Sequence, residues 1–200
     1  MILEFLKTVA EAYRSPRRSA RRMLDRAPSM ADCALMVVLA TLVQAMFGAV
    51  VDMALGDGGT SMSALGARMT EVALNFFMFA VLTAGAFALG RRFGGRAQPA
   101  DMARVVAWHL LVTAFLAPLN LLGIHAITEA SPEGGASALA LLAPISVGLS
   151  IWLFAAFVAE AHGFRRIGAV VAATVAGFIA LGFAMMILVT LFSLAPPTPA

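Results

Sequence analysis

The sequence predicts an all-α, polytopic membrane protein with five transmembrane helices and a cytoplasmic N-terminus, preceded by short amphipathic interfacial helices. Three observations carry that reading. First, 61% of the 200 residues are hydrophobic and 12% are charged, against roughly 25% charged in soluble domains. With a mean hydropathy of +0.90, such a chain cannot cover its own surface with polar groups, so lipid must be its solvent. Second, apolar runs recur at approximately 32–54, 70–90, 105–127, 137–159 and 168–194, each near or above the roughly 20 residues a helix needs to cross a bilayer. Third, lysine and arginine number seven, one, four, none and two in the successive segments before and between these runs, so alternate segments hold thirteen of the fourteen. The positive-inside rule then puts the N-terminus in the cytoplasm and the C-terminus outside. A wrong number of spans would scramble the alternation.

Residues 1–28 form a basic amphipathic cytoplasmic or interfacial segment, residues 29–194 the transmembrane domain, and residues 195–200 a proline-rich tail. The first apolar stretch is interrupted by Glu4 and Lys7, which does not fit a secretory signal. Ile2, Phe5, Leu6, Val9 and Tyr13 share one helical stripe, too short to span. Ser15-Pro16 suits an N-cap and first-turn proline for a second helix. That helix sets Arg17, Arg18, Arg21, Arg22 and Arg26 against Ala20, Met23, Leu24 and Ala27. Such a segment can lie in the interface with its arginines among anionic lipid headgroups, or serve only as a topology anchor.

Ser29 and Asp32 have capping-box spacing ahead of span one, which carries Gln44 and Asp52. Gly56–Thr60 reads as a loop. Arg68 and Glu71 lead into span two, and Arg91, Arg92 and Arg96 form a basic turn after it. Span three holds Trp108 and His109 near its start and a kinking Pro118 inside, with Asn120 and His125 beyond. Residues 129–135 form an acidic loop, and Pro144 interrupts span four. In span five Gly168, Ala172, Ala176, Ala180 and Ala184 recur every four residues, a ridge against which a helix of the same chain or of a second copy can pack.

The pattern resembles the Yip1 family of multi-pass membrane proteins in its bacterial branch. The residues that carry the likeness are Ser15-Pro16-Arg17-Arg18 with Arg21-Arg22-Met23-Leu24, Trp108-His109, and Phe157-Val158-Ala159-Glu160-Ala161-His162-Gly163-Phe164. The resemblance implies five spans with a cytoplasmic N-terminus, in agreement with the charge pattern. The vesicle-trafficking and small-GTPase-binding role of eukaryotic members does not carry over, because their long N-terminal region and Asp-Leu-Tyr-Gly-Pro type motif are absent from this sequence.

Glu160 stands out because it ends span four, where a helix dipole disfavours an anion. It can be an interfacial carboxylate paired with a nearby arginine. Alternatively it joins His162 and His109 in a cytoplasmic-face cluster that binds a metal or a proton, which requires span four to end at a left-handed Gly163. Gln44, Asn75 and Asn120 fit interhelical hydrogen bonds better than a pathway. Cys33, the one cysteine, allows no internal disulfide and suits a small apolar filler better than a lipidation site. No phosphate loop, zinc-protease motif or nucleophile elbow is present, and the basic residues lack interleaved aromatics. The expectation is therefore a non-enzymatic scaffold or partner-binding subunit of the bacterial cytoplasmic membrane, with no cofactor, no resident metal and no nucleic-acid partner. Its contact surface would be Arg17, Arg18, Arg21, Arg22, Arg91, Arg92, Arg165 and Arg166, facing lipid headgroups and either a membrane protein partner or a second copy. The alternative is a small transporter or channel built on the buried polar residues.

Overall fold

The computed structural model describes residues 2–55, 62–128 and 138–193, and every element among them is helical. Helices α1 (Ile2–Arg14) and α2 (Pro16–Arg26) precede two long helices, α3 (Met30–Leu55) and α4 (Met62–Arg92). Then come α5 (Pro99–Ala114), α6 (Ala117–Thr128), a 3₁₀ turn at Ala138–Leu141, α7 (Leu142–His162) and α8 (Ile167–Ser193). The expected loops at 56–60 and 129–135 and the tail at 195–200 lie outside the described residues, as do the side chains of Asp52, Arg68, Glu71 and Ala184.

Helix α3, the Val72–Arg92 part of α4 and the run Ala138–His162 are each long and apolar enough to cross a membrane. The α5–α6 pair makes a fourth if its two halves count as one span. Helix α8 has 27 residues, and its stretch Ile167–Ala180 is apolar. The outward faces are as apolar as the core. Leu35, Leu42, Met46, Val50 and Met53 of α3 are all exposed, an arrangement that water would penalise and lipid does not. The protein is a multi-pass membrane protein.

The kink expected at Pro118 is a complete break. Proline offers no N–H to the carbonyl of Ala114, and its ring crowds that carbonyl. Helix α5 therefore stops at Ala114, and the N–H groups of Phe115 and Leu116 turn back to Val112 O (3.2 Å) and Thr113 O (2.9 Å). Helix α6 resumes at Ala117, bent by 57°, with Pro118 in its first turn. Pro144 interrupts nothing, because it too falls in a first turn, that of α7.

The best-packed region is α5 with the second half of α7. Val105 through His109 and Leu153 through Ala159 are all buried, with Leu153 and Phe157 among the largest enclosed side chains. Helix α3 meets α5 through Cys33 and Val37, both fully buried against Ala107. Cys33 is thus a core filler. Ser29 and Asp32 form the expected capping box: Asp32 N–H donates to Ser29 Oγ (3.2 Å), and Ser29 N–H donates to Asp32 Oδ2 (2.9 Å). Ser15 holds the N-cap position of α2 but makes no side-chain capping bond.

Candidate functional site

The N-terminal helices do not stand apart as free interfacial segments; they dock on the bundle. Helix α1 turns Phe5, Val9, Ala12 and Tyr13 inward and leaves Ile2, Leu3 and Leu6 exposed. The Tyr13 hydroxyl donates to Val112 O at 2.6 Å, and Phe5 packs on Phe115 at the α5–α6 break with ring centroids 6.1 Å apart. Burial pushes the Tyr13 phenol up to about 12. Helix α2 buries Pro16, Ser19, Ala20 and Met23 against α5 and α7. There the buried indole N–H of Trp108 donates to Ser19 Oγ at 2.9 Å. Arg22 pairs with Glu11, whose carboxyl is held below its ordinary range mainly by that hydrogen bond.

Glu160 is the anchor of this docking. Arg17 Nε donates to Oε2 at 3.0 Å and Arg21 Nε to Oε1 at 2.8 Å, while Arg17 Nη2 also reaches Phe164 O at 2.6 Å. Arg17 and Arg21 are four residues apart on α2, so they share one face and can grip both carboxylate oxygens. The partners are therefore from α2, not the neighbouring Arg165 or Arg166. Two guanidinium groups offset the unfavourable end of the α7 dipole, which explains an anion at that position.

His162 takes another direction. Helix α7 ends on Gly163 in the left-handed region (φ 74°, ψ 24°), as the cluster reading requires, but the two side chains do not converge. The His162 ring lies against Gly90 and Gly95, stacks on Phe164 at 5.3 Å, and sits 3.1 Å from Ala86 O. A carbonyl only accepts, so Nε2 carries the proton. The Arg96 N–H donates to His162 O at 3.2 Å, closing the turn after α4 over the ring. His109 packs edge-on against Phe154 (5.1 Å) and Phe157 (6.2 Å) inside the core. The expected Glu160–His162–His109 cluster is thus corrected: each group is spent on a different neighbour. Among the described residues no group of three or more His, Cys, Asp or Glu could hold a metal ion.

The described part of the small-residue ridge of α8 faces away from the core, so of the two expected partners it is a helix of the same chain that does not pack on it. Gly168, Ala172, Ala176 and Ala180 are exposed, and it is Val170 and Phe178 that pack on the core. Both face classes are apolar, so the repeat alone does not say which turns inward. In the spans, Asn75 Nδ2 of α4 donates to Thr41 Oγ1 and Gln44 Oε1 of α3, each at 3.1 Å. These polar groups join helices, as expected.

The eight expected surface arginines divide by geometry. Arg17, Arg21 and Arg22 are engaged by carboxylates of the protein itself. Arg18, Arg91, Arg92, Arg165 and Arg166 are exposed, and none has an ion-pair partner among the described residues. Arg165 and Arg166 edge a cavity of about 760 Å³ between α4 and α8. The sequence reading missed that cavity, the Ser19–Trp108 bond and the Gly90–Gly95 cradle. Ser19 carried a signal, a small polar residue on the apolar side of an arginine-rich helix.

A family model described as the Yip1 domain matches residues 10–189. No curated protein and no solved structure matches the chain.

Proposed function

Because the chain belongs to the Yip1 domain family, we propose that this multi-pass membrane protein is a non-enzymatic scaffold in a bacterial cytoplasmic membrane, where it holds a partner protein by a basic platform. The reading takes α3, α4, α5 with α6, the 3₁₀ turn with α7, and α8 as five spans, the N-terminus being cytoplasmic. The alternation of arginine-rich and arginine-poor segments supports that orientation.

One observation carries the scaffold reading. Glu160 clamps α2 to the end of α7 through Arg17 and Arg21. This leaves Arg18 of α2 and Arg91 and Arg92 of α4 exposed without ion-pair partners among the described residues. A rigid surface with uncommitted guanidinium groups suits an acidic partner surface, which it would steer and orient.

The test uses the full chain, purified from native membranes in mild detergent, with mass and co-purifying proteins determined together. The expected result is a partner at fixed stoichiometry, weakened by salt and lost in R18Q/R91Q/R92Q, whose own thermal transition is unchanged. A monomer or homo-oligomer without a partner, or a partner indifferent to the three substitutions, overturns the reading. Labelling of cysteine introduced by Arg18→Cys, Arg92→Cys or Ala200→Cys checks the orientation: the first two should react from the cytoplasmic side and the third from the other.

A further inference from the structure

The cavity between α4 and α8 has the dimensions and chemistry of a lipid groove. Phe154 and Val158 of α7 form its floor, Gly85 and Gly90 belong to one wall, and Ala173 and Gly177 belong to the other. A Cβ built at Gly85 or Gly177 would meet nothing within 4 Å, so the walls stand apart over open space. The lining runs from Val81 on α4 to Phe93 in the turn just after it, and from Ala169 to Ala180 on α8. At 1.5 Å per residue that is about 16–18 Å, close to half of the ~30 Å hydrocarbon core. The groove therefore matches one leaflet in depth. Its volume of about 760 Å³ falls within the roughly 300–1,000 Å³ of small-molecule clefts.

Charge distinguishes the two ends. Arg165 and Arg166 stand at the end where α4 finishes and α8 begins, and among the described residues no carboxylate pairs with either. The first N–H groups of α8, from Ile167, add the positive end of a helix dipole there. A flat lipid-facing helix has no preference among lipids, because acyl tails are as apolar as its leucines. A concave apolar groove with a guanidinium pair at its headgroup end does.

We propose that this groove binds a phospholipid with an anionic headgroup, one acyl chain lying between α4 and α8 and the phosphate held at Arg165 and Arg166. The site is independent of the basic platform, because Arg18, Arg91 and Arg92 are not among its lining residues. Loss of a protein partner and loss of a bound lipid are therefore separable results.

The experiment reconstitutes the full chain with phosphatidylglycerol and phosphatidylcholine of identical acyl chains and reads retained lipid by native mass spectrometry. Wild type should retain phosphatidylglycerol about tenfold over phosphatidylcholine, whose phosphate is the same but carries a choline cation that the two guanidinium groups repel. R165Q/R166Q should bring the ratio near parity, and R165K/R166K should keep most of it. Gly85→Leu and Gly177→Leu should displace both lipids while keeping the thermal transition, since their side chains enter open space. Equal retention of the two lipids by wild type overturns the proposal. So does a phosphatidylglycerol preference that survives both leucine variants, which would put the lipid on the outer arginines alone. A lipid-free homodimer dissociated by the leucine variants also overturns it, making a second copy the occupant.

Discussion

His162 occupies the space that a side chain at Gly90 would need: a Cβ there would lie 2.0 Å from Nε2 of the imidazole. At Gly95 the corresponding distance is 2.2 Å, to Nδ1. The end of α7 and the turn after α4 are thus locked by one ring between two glycines. The ring is held from behind by its stacking on Phe164 and from the side by Ala86 O. It has nowhere to retreat, so Gly90→Ala should cost about 1–3 kcal/mol, the usual range for overpacking. Removing the ring should relieve the clash. Thermal unfolding in detergent should show G90A/H162A less destabilised than the sum of the single variants, by about 1 kcal/mol or more. Strict additivity would mean that the two residues do not touch.

Glu160 and Arg18 make a matched pair of tests. The Glu160 carboxylate is only 9% exposed and receives two guanidinium groups. E160Q should therefore lower stability by about 1–3 kcal/mol and free α2, seen as faster proteolysis after Arg21. R18Q removes a charge that no described residue pairs with, and should stay within about 0.5 kcal/mol of wild type. Equal effects of the two substitutions would remove the clamp from the account of how α2 is held.

Tyr13 reports the docking of α1 optically, since it is the chain's one tyrosine. Its folded pKa, about 12, lies above the ordinary phenol value of 10.0. The neutral phenol is therefore favoured in the folded state: its contribution is fully present below about pH 10, and is lost as pH rises through 12. Near-ultraviolet absorbance of the full chain in detergent should give a midpoint near 12. A midpoint at the ordinary phenol value would mean that α1 does not rest on Val112.

Asn75 joins α4 to α3 through Thr41 and Gln44. Asn75→Leu should cost about 0.6–1.7 kcal/mol, the range for interhelical hydrogen bonds in membranes. Leucine at the same position in a Gln44→Leu background should cost less, because the acceptor it strands is already gone. A cost that ignores Gln44 would remove the hydrogen bond from the account.

The helices were legible because their signals are local. Seventeen glycines and nine prolines punctuate apolar runs whose lengths are set by the bilayer, and Ser29–Asp32 announces α3 three residues ahead. The candidate site was legible only in part. Glu160 is conspicuous as an anion at a helix end, but its partners lie 139 and 143 residues away in sequence. His162 and His109 have comparable sequence positions relative to their spans, yet one meets a glycine cradle and the other meets two phenylalanines. In lipid, both inward and outward faces are apolar, so hydropathy cannot assign the α8 ridge to a side.

By itself the sequence determined that lipid is the solvent, that the elements are helices, and that positive charge gathers in alternate segments. Backbone hydrogen bonding without water allows little else, and each proline or glycine acts within a few residues of itself. Tertiary structure alone decided that α2 is clamped to α7, that Trp108 finds Ser19, that the histidines separate, and that α4 and α8 leave a groove with arginines at its end. Those outcomes depend on how helices rotate about their axes and cross, which is fixed by side-chain packing between distant segments.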